Sequence, residues 1–376
     1  MDIYQDLGLK KVVNCAGTYT VVGATRMSDE TLQAMQSAAS SFVDIETLHK
    51  TLNRKVAELT NNEAAYICNS CSTAIYLIAA AFVSKKYGKP FKYIADEDVR
   101  KCEMVGIWSQ HIPYDHAISQ LGVKMKFIGY TNPQSVITEE DVRMAINENT
   151  VGVYFAPRTP RGYYGEKSMN LDKFIEIAHS CGVPVLVDAA AQLPPKSNLW
   201  EFTQMGADIV TFSGGKDLAG PQASGLAVGK KEICDILEES GFPNYGPGRL
   251  MKIGREEMVA LYSAVKQYME NDEEARLNWC ESEVVKLREL LAGSKMYSVL
   301  RCWPNQAGQP LPRSFVEMDS NKTAELVRAK LSECNPSVFC FTENQNGIYI
   351  NPMCMKEGDT EYVAQKLLEI EAEITK

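Results

Sequence analysis

The chain has 376 residues, 45% of them hydrophobic and 23% charged, and a net charge of −9. That describes an ordinary globular protein, long enough for one large domain and a smaller one. No apolar run reaches the ~20 residues of a membrane span, and the acidic balance offers no global basic field for tRNA or other nucleic acid.

The amino-terminal MDIYQDLGLKKVVN lacks the layout of a secretory signal, so a cytoplasmic location is expected. Eleven scattered cysteines fit the same reducing compartment. Residues 1–25 read as an ordered arm with a short strand-like run. Ser28 is a natural N-cap for a helix with Leu32, Met35 and Ala39 at helical spacing, and a second helix follows around Glu46 to Thr60. From residue 63 the pattern alternates strand and helix. Ala64 to Cys68 reads as a strand, and Asn69-Ser70-Cys71-Ser72-Thr73 opens an apolar helix to about Lys85. Cys68 and Cys71 form a CxxC, but no second pair follows at zinc spacing, so no metal is expected.

Further strands are expected at Tyr93 to Ala95, Lys124 to Ile128, Val151 to Ala156 and Val183 to Asp188, with helices at 113–121, 138–147 and 170–180. Ile209 to Phe212 and Leu226 to Val228 complete the set. Continuous apolar strands alternating with helices argue for a mostly parallel sheet covered on both faces, with ligands at the carboxyl ends of the strands. A Pro/Gly-rich loop at 241–248 precedes a long helical stretch from about Arg255 to Ala292. Beyond it, short strands at Ser314 to Met318 and Gly347 to Ile350 alternate with helices at 322–333 and 359–374.

Three features carry chemistry. Lys216 stands in a loop of four glycines and a proline between two buried strands, where it suits a Schiff-base nucleophile. A surface lysine in a glycine-rich turn would look the same. Asp188 ends an apolar strand 28 residues earlier; it can cap the next helix or hold a heterocyclic nitrogen protonated. A helical crossover between the two places both on one sheet edge. The hydroxyl-rich helix start at Ser70 is an anion site or an ordinary cap, and Ser213 can join it. A lysine, a carboxylate and an anion site together are what pyridoxal phosphate requires.

Phe212-Ser-Gly-Gly-Lys216-Asp-Leu-Ala-Gly-Pro-Gln-Ala-Ser-Gly resembles the lysine segment of the selenocysteine-synthase-like branch of fold-type-I pyridoxal phosphate enzymes. That branch holds selenium transferases acting on seryl-tRNA and ammonia-lyases acting on an amino-sugar acid phosphate. The similarity runs through Val13-Asn-Cys-Ala-Gly-Thr-Tyr-Thr20, Gln110-His111-Ile-Pro-Tyr-Asp115-His-Ala-Ile, Gly129-Tyr-Thr131-Asn, Arg249-Leu-Met-Lys252-Ile-Gly-Arg-Glu-Glu257 and Ile350-Asn-Pro-Met353, nearly the whole chain. It implies a three-layer α/β sandwich with a mostly parallel central sheet and a smaller C-terminal α/β domain. The expected division is an N-terminal arm (1–27), a large cofactor-binding domain (28–254), and a bridging helix with the small domain (255–376).

The resemblance also implies pyridoxal 5'-phosphate as cofactor, Lys216 as the imine-forming lysine and Asp188 as the pyridinium partner. Ser70, Cys71, Ser72 and Ser213 would form the phosphate cradle. His111 falls where the family places a residue near the cofactor ring, although a helix-start residue with only a local hydrogen bond fits the position too. Gln192 is a further cofactor contact, toward the phenolic oxygen. For a small anionic amino-acid-like substrate the candidate cations are Arg158, Arg161, Arg249 and Lys252, with surface ion pairs as the other reading for Arg161 and Lys252. Thr18, Tyr19 and Thr20 supply hydroxyls, in a fold that usually builds its sites at a homodimer interface. The chain lacks the extra N-terminal region expected for tRNA binding. The expected reaction is that of a lyase yielding a 2-keto acid, with a transferase second and a racemase third.

Overall fold

The computed structural model describes residues 2–131, 136–157 and 169–375. By internal contact the chain forms two compact units, Met27–Asn271 and Met1–Arg26 together with Asp272–Lys376. Its strands in chain order are β1 (Val12–Asn14), β2 (Ala64–Cys68), β3 (Glu103–Ile107), β4 (Lys124–Ile128), β5 (Thr150–Phe155), β6 (Val185–Asp188), β7 (Ile209–Ser213), β8 (Gly225–Gly229), β9 (Ser298–Cys302), β10 (Arg313–Glu317), β11 (Ser337–Phe339) and β12 (Gly347–Ile350).

The larger unit holds one seven-stranded sheet in the order β2-β8-β7-β6-β5-β3-β4. Every pairing from β7 out to β4 is parallel, whereas β8 pairs antiparallel with both β7 and β2. Successive strand residues face opposite sides, and each side has its own core. On one side Val185, Val187, Val210 and Phe212 pack with Val56, Phe174, Phe202 and Leu261 from four helices. On the other, Leu186, Ile209 and Ala227 pack with Ile75, Ile78, Ile118 and Leu237. The result is the expected three-layer sandwich.

Cys71–Tyr87 is buried along most of its length, from Cys71 to Ser84, with no polar face. Such a helix belongs inside a large protein rather than on its surface. Ser70 caps its start, and Gly88 ends it in the left-handed conformation that glycine adopts without strain.

Two expectations are corrected. Tyr93 to Ala95 is not a strand: Phe91–Tyr93 is a 3-10 turn and Asp96–Val99 a short helix, favoured by Asp96, Glu97 and Asp98 in its first turn. The strand of this region is β3. The helical stretch after Arg255 is two helices, Arg255–Glu270 and Glu273–Leu290. The chain breaks there because Asp272 caps a new start, accepting from the N–H groups of Glu274 and Ala275. Arg255–Glu270 packs on Asp29–Ala39 and Ile45–Leu59, and the Gln267 amide donates to Thr31 Oγ1 at 2.9 Å.

In the smaller unit β9, β10 and β12 form an antiparallel sheet, and β1 pairs in parallel with β11. Val13, Leu287, Val316, Ile348 and Leu367 belong to its core. Among the described residues no helix is long and apolar enough to cross a membrane.

Candidate active site

The topology collects Asp188, Ser70, Ser213 and Lys216 on one sheet edge. Asp188 is the last residue of β6 and lies beside Thr211 of β7. Because β6 and β7 are parallel and joined through the helix Asn198–Gln204, both end at the same edge. β8 returns antiparallel, so its first residue, Gly225, also sits there, paired with both Ser213 and Cys68. Cys68 ends β2 just before the helix start at Ser70. Lys216 lies three residues past the end of β7.

Asp188 is 4% exposed and surrounded by neutral donors. Tyr154 OH donates to Oδ2 at 2.7 Å, the Ala190 N–H donates to Oδ1 at 3.1 Å, and the Cys71 thiol approaches Oδ1 at 3.6 Å. The same thiol donates to Thr211 Oγ1 at 3.1 Å. Burial and the Asp188 charge push the Cys71 thiol well up, against smaller pulls from Thr211 and Lys216, so it remains a protonated donor. Cys71 therefore feels both Asp188 and Lys216.

At the helix start the Ser70 hydroxyl accepts from Thr73 N–H at 3.1 Å, and the Ser70 carbonyl accepts from Ala74 N–H. That leaves the N–H groups of Cys71 and Ser72 as the donors this terminus can offer an anion. β8 presses directly on this turn. A Cβ at Gly225 would lie 2.3 Å from Ser70 C and 2.5 Å from Cys71 N, so no other residue fits there. The glycines nearer Lys216 serve the loop itself. A Cβ at Gly214 would lie 2.1 Å from Ser224 Oγ, and one at Gly215 2.5 Å from Gln222 Cα. Asp217 anchors the loop by accepting from Tyr268 OH at 2.7 Å. Lys216 is half-buried, its Nζ 5.8 Å from the centre of the Tyr114 ring.

His111 lies in the segment that leads to Tyr114. Its Nδ1 is 2.7 Å from Asp115 Oδ2, which also accepts from Ile112 N–H, and its ring packs edge-on against Trp108 and Phe127. Gln192 is 4% exposed, and its Oε1 finds no partner among the described residues.

Among the described residues, a helix terminus with two N–H groups to offer, a buried carboxylate bonded only to neutral groups and a buried amide oxygen with no partner suit a phosphorylated heteroaromatic aldehyde. Cys71, Ser72 and Ser213 would hold its phosphate, Asp188 its ring nitrogen, Gln192 a ring substituent and Lys216 its carbonyl carbon.

The substrate candidates divide. Arg158 and Arg161 lie outside the described residues. Arg249 is half-buried, with its guanidinium 5.3 Å from the Phe242 ring, 5.6 Å from the Tyr245 ring and its Nε without a partner among the described residues. Lys252 is exposed. Thr18, Tyr19 and Thr20 belong to the smaller unit, where the Tyr19 ring packs 4.7 Å from that of Phe341. Burial, then the Glu343 charge, pushes the Tyr19 hydroxyl up against an opposing pull from Arg313.

Sequence reasoning passed over Arg313, which is 8% exposed, paired with Glu343 and 3.6 Å from the centre of the Tyr349 ring. It also passed over Tyr154 and Thr211. Their signal was weak: a tyrosine or threonine inside an apolar strand must find a partner, but the sequence does not say which.

The profile of the SelA family, L-seryl-tRNA selenium transferase, matches residues 12–279. The chain is 26% identical to D-glucosaminate-6-phosphate ammonia lyase of Salmonella typhimurium over 98% of both proteins. It is 27% identical to L-seryl-tRNA(Sec) selenium transferase of Carboxydothermus hydrogenoformans over 70% of this chain and 57% of that one. A solved D-glucosaminate-6-phosphate ammonia-lyase superposes with a TM-score of 0.81 at 25% identity, covering all of both chains. Serine palmitoyltransferase from S. paucimobilis with bound PLP shares the fold at a TM-score of 0.61 and 10% identity, over 98% of this chain and 88% of that one. The chain belongs to the SelA family, with the fold-type-I architecture and pyridoxal 5'-phosphate as its cofactor.

Proposed function

We propose that the protein is a pyridoxal phosphate-dependent ammonia-lyase for a small anionic amino acid or amino-sugar acid, which leaves as a 2-keto acid. The observation that carries this reading is the end-to-end similarity to an ammonia lyase, 98% of each protein, against the 57% of the selenium transferase that the chain spans. Bound cofactor supplies the electron sink for loss of an α-proton. Lys216 takes that proton from Cα, since its half-buried amine stands at the same edge as Asp188. Asp188 holds the ring nitrogen protonated, the N–H groups of Cys71 and Ser72 hold the phosphate, and Arg249 receives the substrate's anionic group. Departure of the β-substituent, then addition of water with release of ammonia, completes the balance.

The test is product analysis on a panel of D- and L-amino acids and amino-sugar acids. A lyase releases ammonia and 2-keto acid in equal amounts with no acceptor added. Keto acid that forms only when a second 2-keto acid is supplied overturns the reading in favour of an aminotransferase. The acidic charge favours a small substrate over tRNA, the cysteines, none in a disulfide, fit the cytoplasm, and a homodimer is the expected assembly.

A further inference from the structure

The hydrogen bond from Tyr154 to Asp188 has no place in the steps above. Tyr154 is 1% exposed in the middle of the sheet, and its hydroxyl reaches the one carboxylate proposed to face the cofactor ring, at 2.7 Å. A tyrosine needed only for packing could be phenylalanine at this position, and every other residue of β5 is buried without such a bond to Asp188.

The partners are distributed by oxygen. Oδ1 takes the Ala190 N–H at 3.1 Å and the Cys71 thiol at 3.6 Å, whereas Tyr154 alone among the described residues donates to Oδ2. Ala190 is two residues from Asp188 and moves with it. Tyr154 comes from the neighbouring strand and ties the side chain to the sheet from outside. Two donors on different oxygens fix the plane of a carboxylate, where one would leave it free to rotate.

We propose that Tyr154 is a positioning residue, whose hydroxyl fixes the plane of the Asp188 carboxylate so that it meets the cofactor's ring nitrogen in line. Cys71 is the weaker second tether, because a thiol is a poor donor and this one points mainly to Thr211. Burial and the adjacent Asp188 raise the Tyr154 hydroxyl well above the ordinary phenol range, so it keeps its proton and remains a donor at every working pH. Tyr154→Phe removes one oxygen and keeps the ring, and the fold should survive it.

The inference rests on Asp188 being the ring-nitrogen partner, and the experiment separates the two. Holoenzyme is prepared with pyridoxal phosphate labelled with ¹⁵N in the ring, and the nitrogen resonance is recorded for wild type, Asp188→Asn, Tyr154→Phe and Cys71→Ala. Wild type should show a pyridinium-like resonance. Tyr154→Phe should move it part of the way toward neutral pyridine and lower kcat on the order of 10-fold with KM little changed, the scale on which outer partners of a liganding group act. Asp188→Asn should move it fully, and Cys71→Ala less than Tyr154→Phe. If Asp188→Asn moves the resonance and Tyr154→Phe lowers only thermal stability, the positioning role falls while Asp188 keeps its assignment. If neither moves it, both fall.

Discussion

Two buried aspartates stand at opposite edges of the same sheet, one ending a strand and the other preceding its neighbour, and they are built differently. Asp208, just before β7, receives Lys230 Nζ at 2.5 Å, His179 Nε2 at 2.8 Å and the Val185 N–H at 2.7 Å. Asp188, ending β6, receives a phenol, a thiol and one N–H. Both residues are 4% exposed. Asp208 has a cation within its own chain and is complete; it locks the amino edge. Asp188 has its dipoles and no lysine or arginine bonded to it among the described residues, which suits a carboxylate kept for a cation that arrives from outside. Burial depth alone does not distinguish a structural acid from a functional one. What separates these two is the charge of their bonded partners.

That contrast can be broken most severely at the lysine sharing the edge with Asp188. Lys216→Ala should abolish the near-visible, borohydride-sensitive absorption of bound cofactor and lower turnover by about 10²–10⁴-fold, with little change in melting temperature. Asp188→Ala should follow, at about 10²–10³-fold in kcat on the scale of a lost preorganised electrostatic partner.

Asp208→Asn should do the reverse, leaving turnover per folded molecule intact and lowering stability by about 2–3 kcal/mol in urea unfolding. This is below the full range for a broken buried pair, because Lys230 and His179 are 46% and 38% exposed. Burial alone would raise the Asp208 carboxyl, but the bonds from Lys230, His179 and Val185 outweigh it and hold it below the usual range. Its contribution is therefore complete above the unfolded value of about 4 and disappears as pH falls through the lower folded value. Wild type should lose more stability between about pH 4 and pH 2 than Asp208→Asn does.

Gly225→Ala should cost about 1–3 kcal/mol and weaken cofactor binding measured by fluorescence titration, since the new methyl collides with backbone at the cradle. Lys252→Ala should leave stability within about 0.5 kcal/mol, with any effect confined to KM.

What could be read from the chain follows from these same contrasts. β6 and β7 were legible because Val-Leu-Val and Ile-Val-Thr-Phe are continuous apolar runs buried on both faces, and a polar residue at the end of such a run is conspicuous. Asp188 stands out that way; Lys216 stands out by its glycine-rich loop, and Ser70 by the hydroxyl-rich run that opens a helix. β3 was overlooked because Glu103 and Gly106 interrupt its apolar pattern, and the expected strand at Tyr93 to Ala95 is instead the end of a 3-10 turn and the lead-in to the acid-rich helix Asp96–Val99. The break at Asp272 depends on a cap of three atoms, which a helical run on both sides conceals. Tyr154 could be seen to need a partner but not to have Asp188, because pairing across strands is set by register rather than by local pattern. Arg313 gave no signal at all, since its burial depends on Tyr349 and Glu343, both 30 or more residues away.

The helix Cys71–Tyr87 has no solvent face on which to slide or tilt, and its first turn is the proposed phosphate cradle. Its tip cannot loosen without disturbing the packing of Ile75, Ile78 and Phe82 behind it. Vitamin supply and folding then become one equilibrium. Cofactor in hundred-fold excess over its dissociation constant adds about 2.7 kcal/mol to the folded state. Conversely, a cavity cut at Ile78, remote in sequence from every residue that would touch the cofactor, should appear in a screen as a variant that needs more pyridoxal phosphate to function.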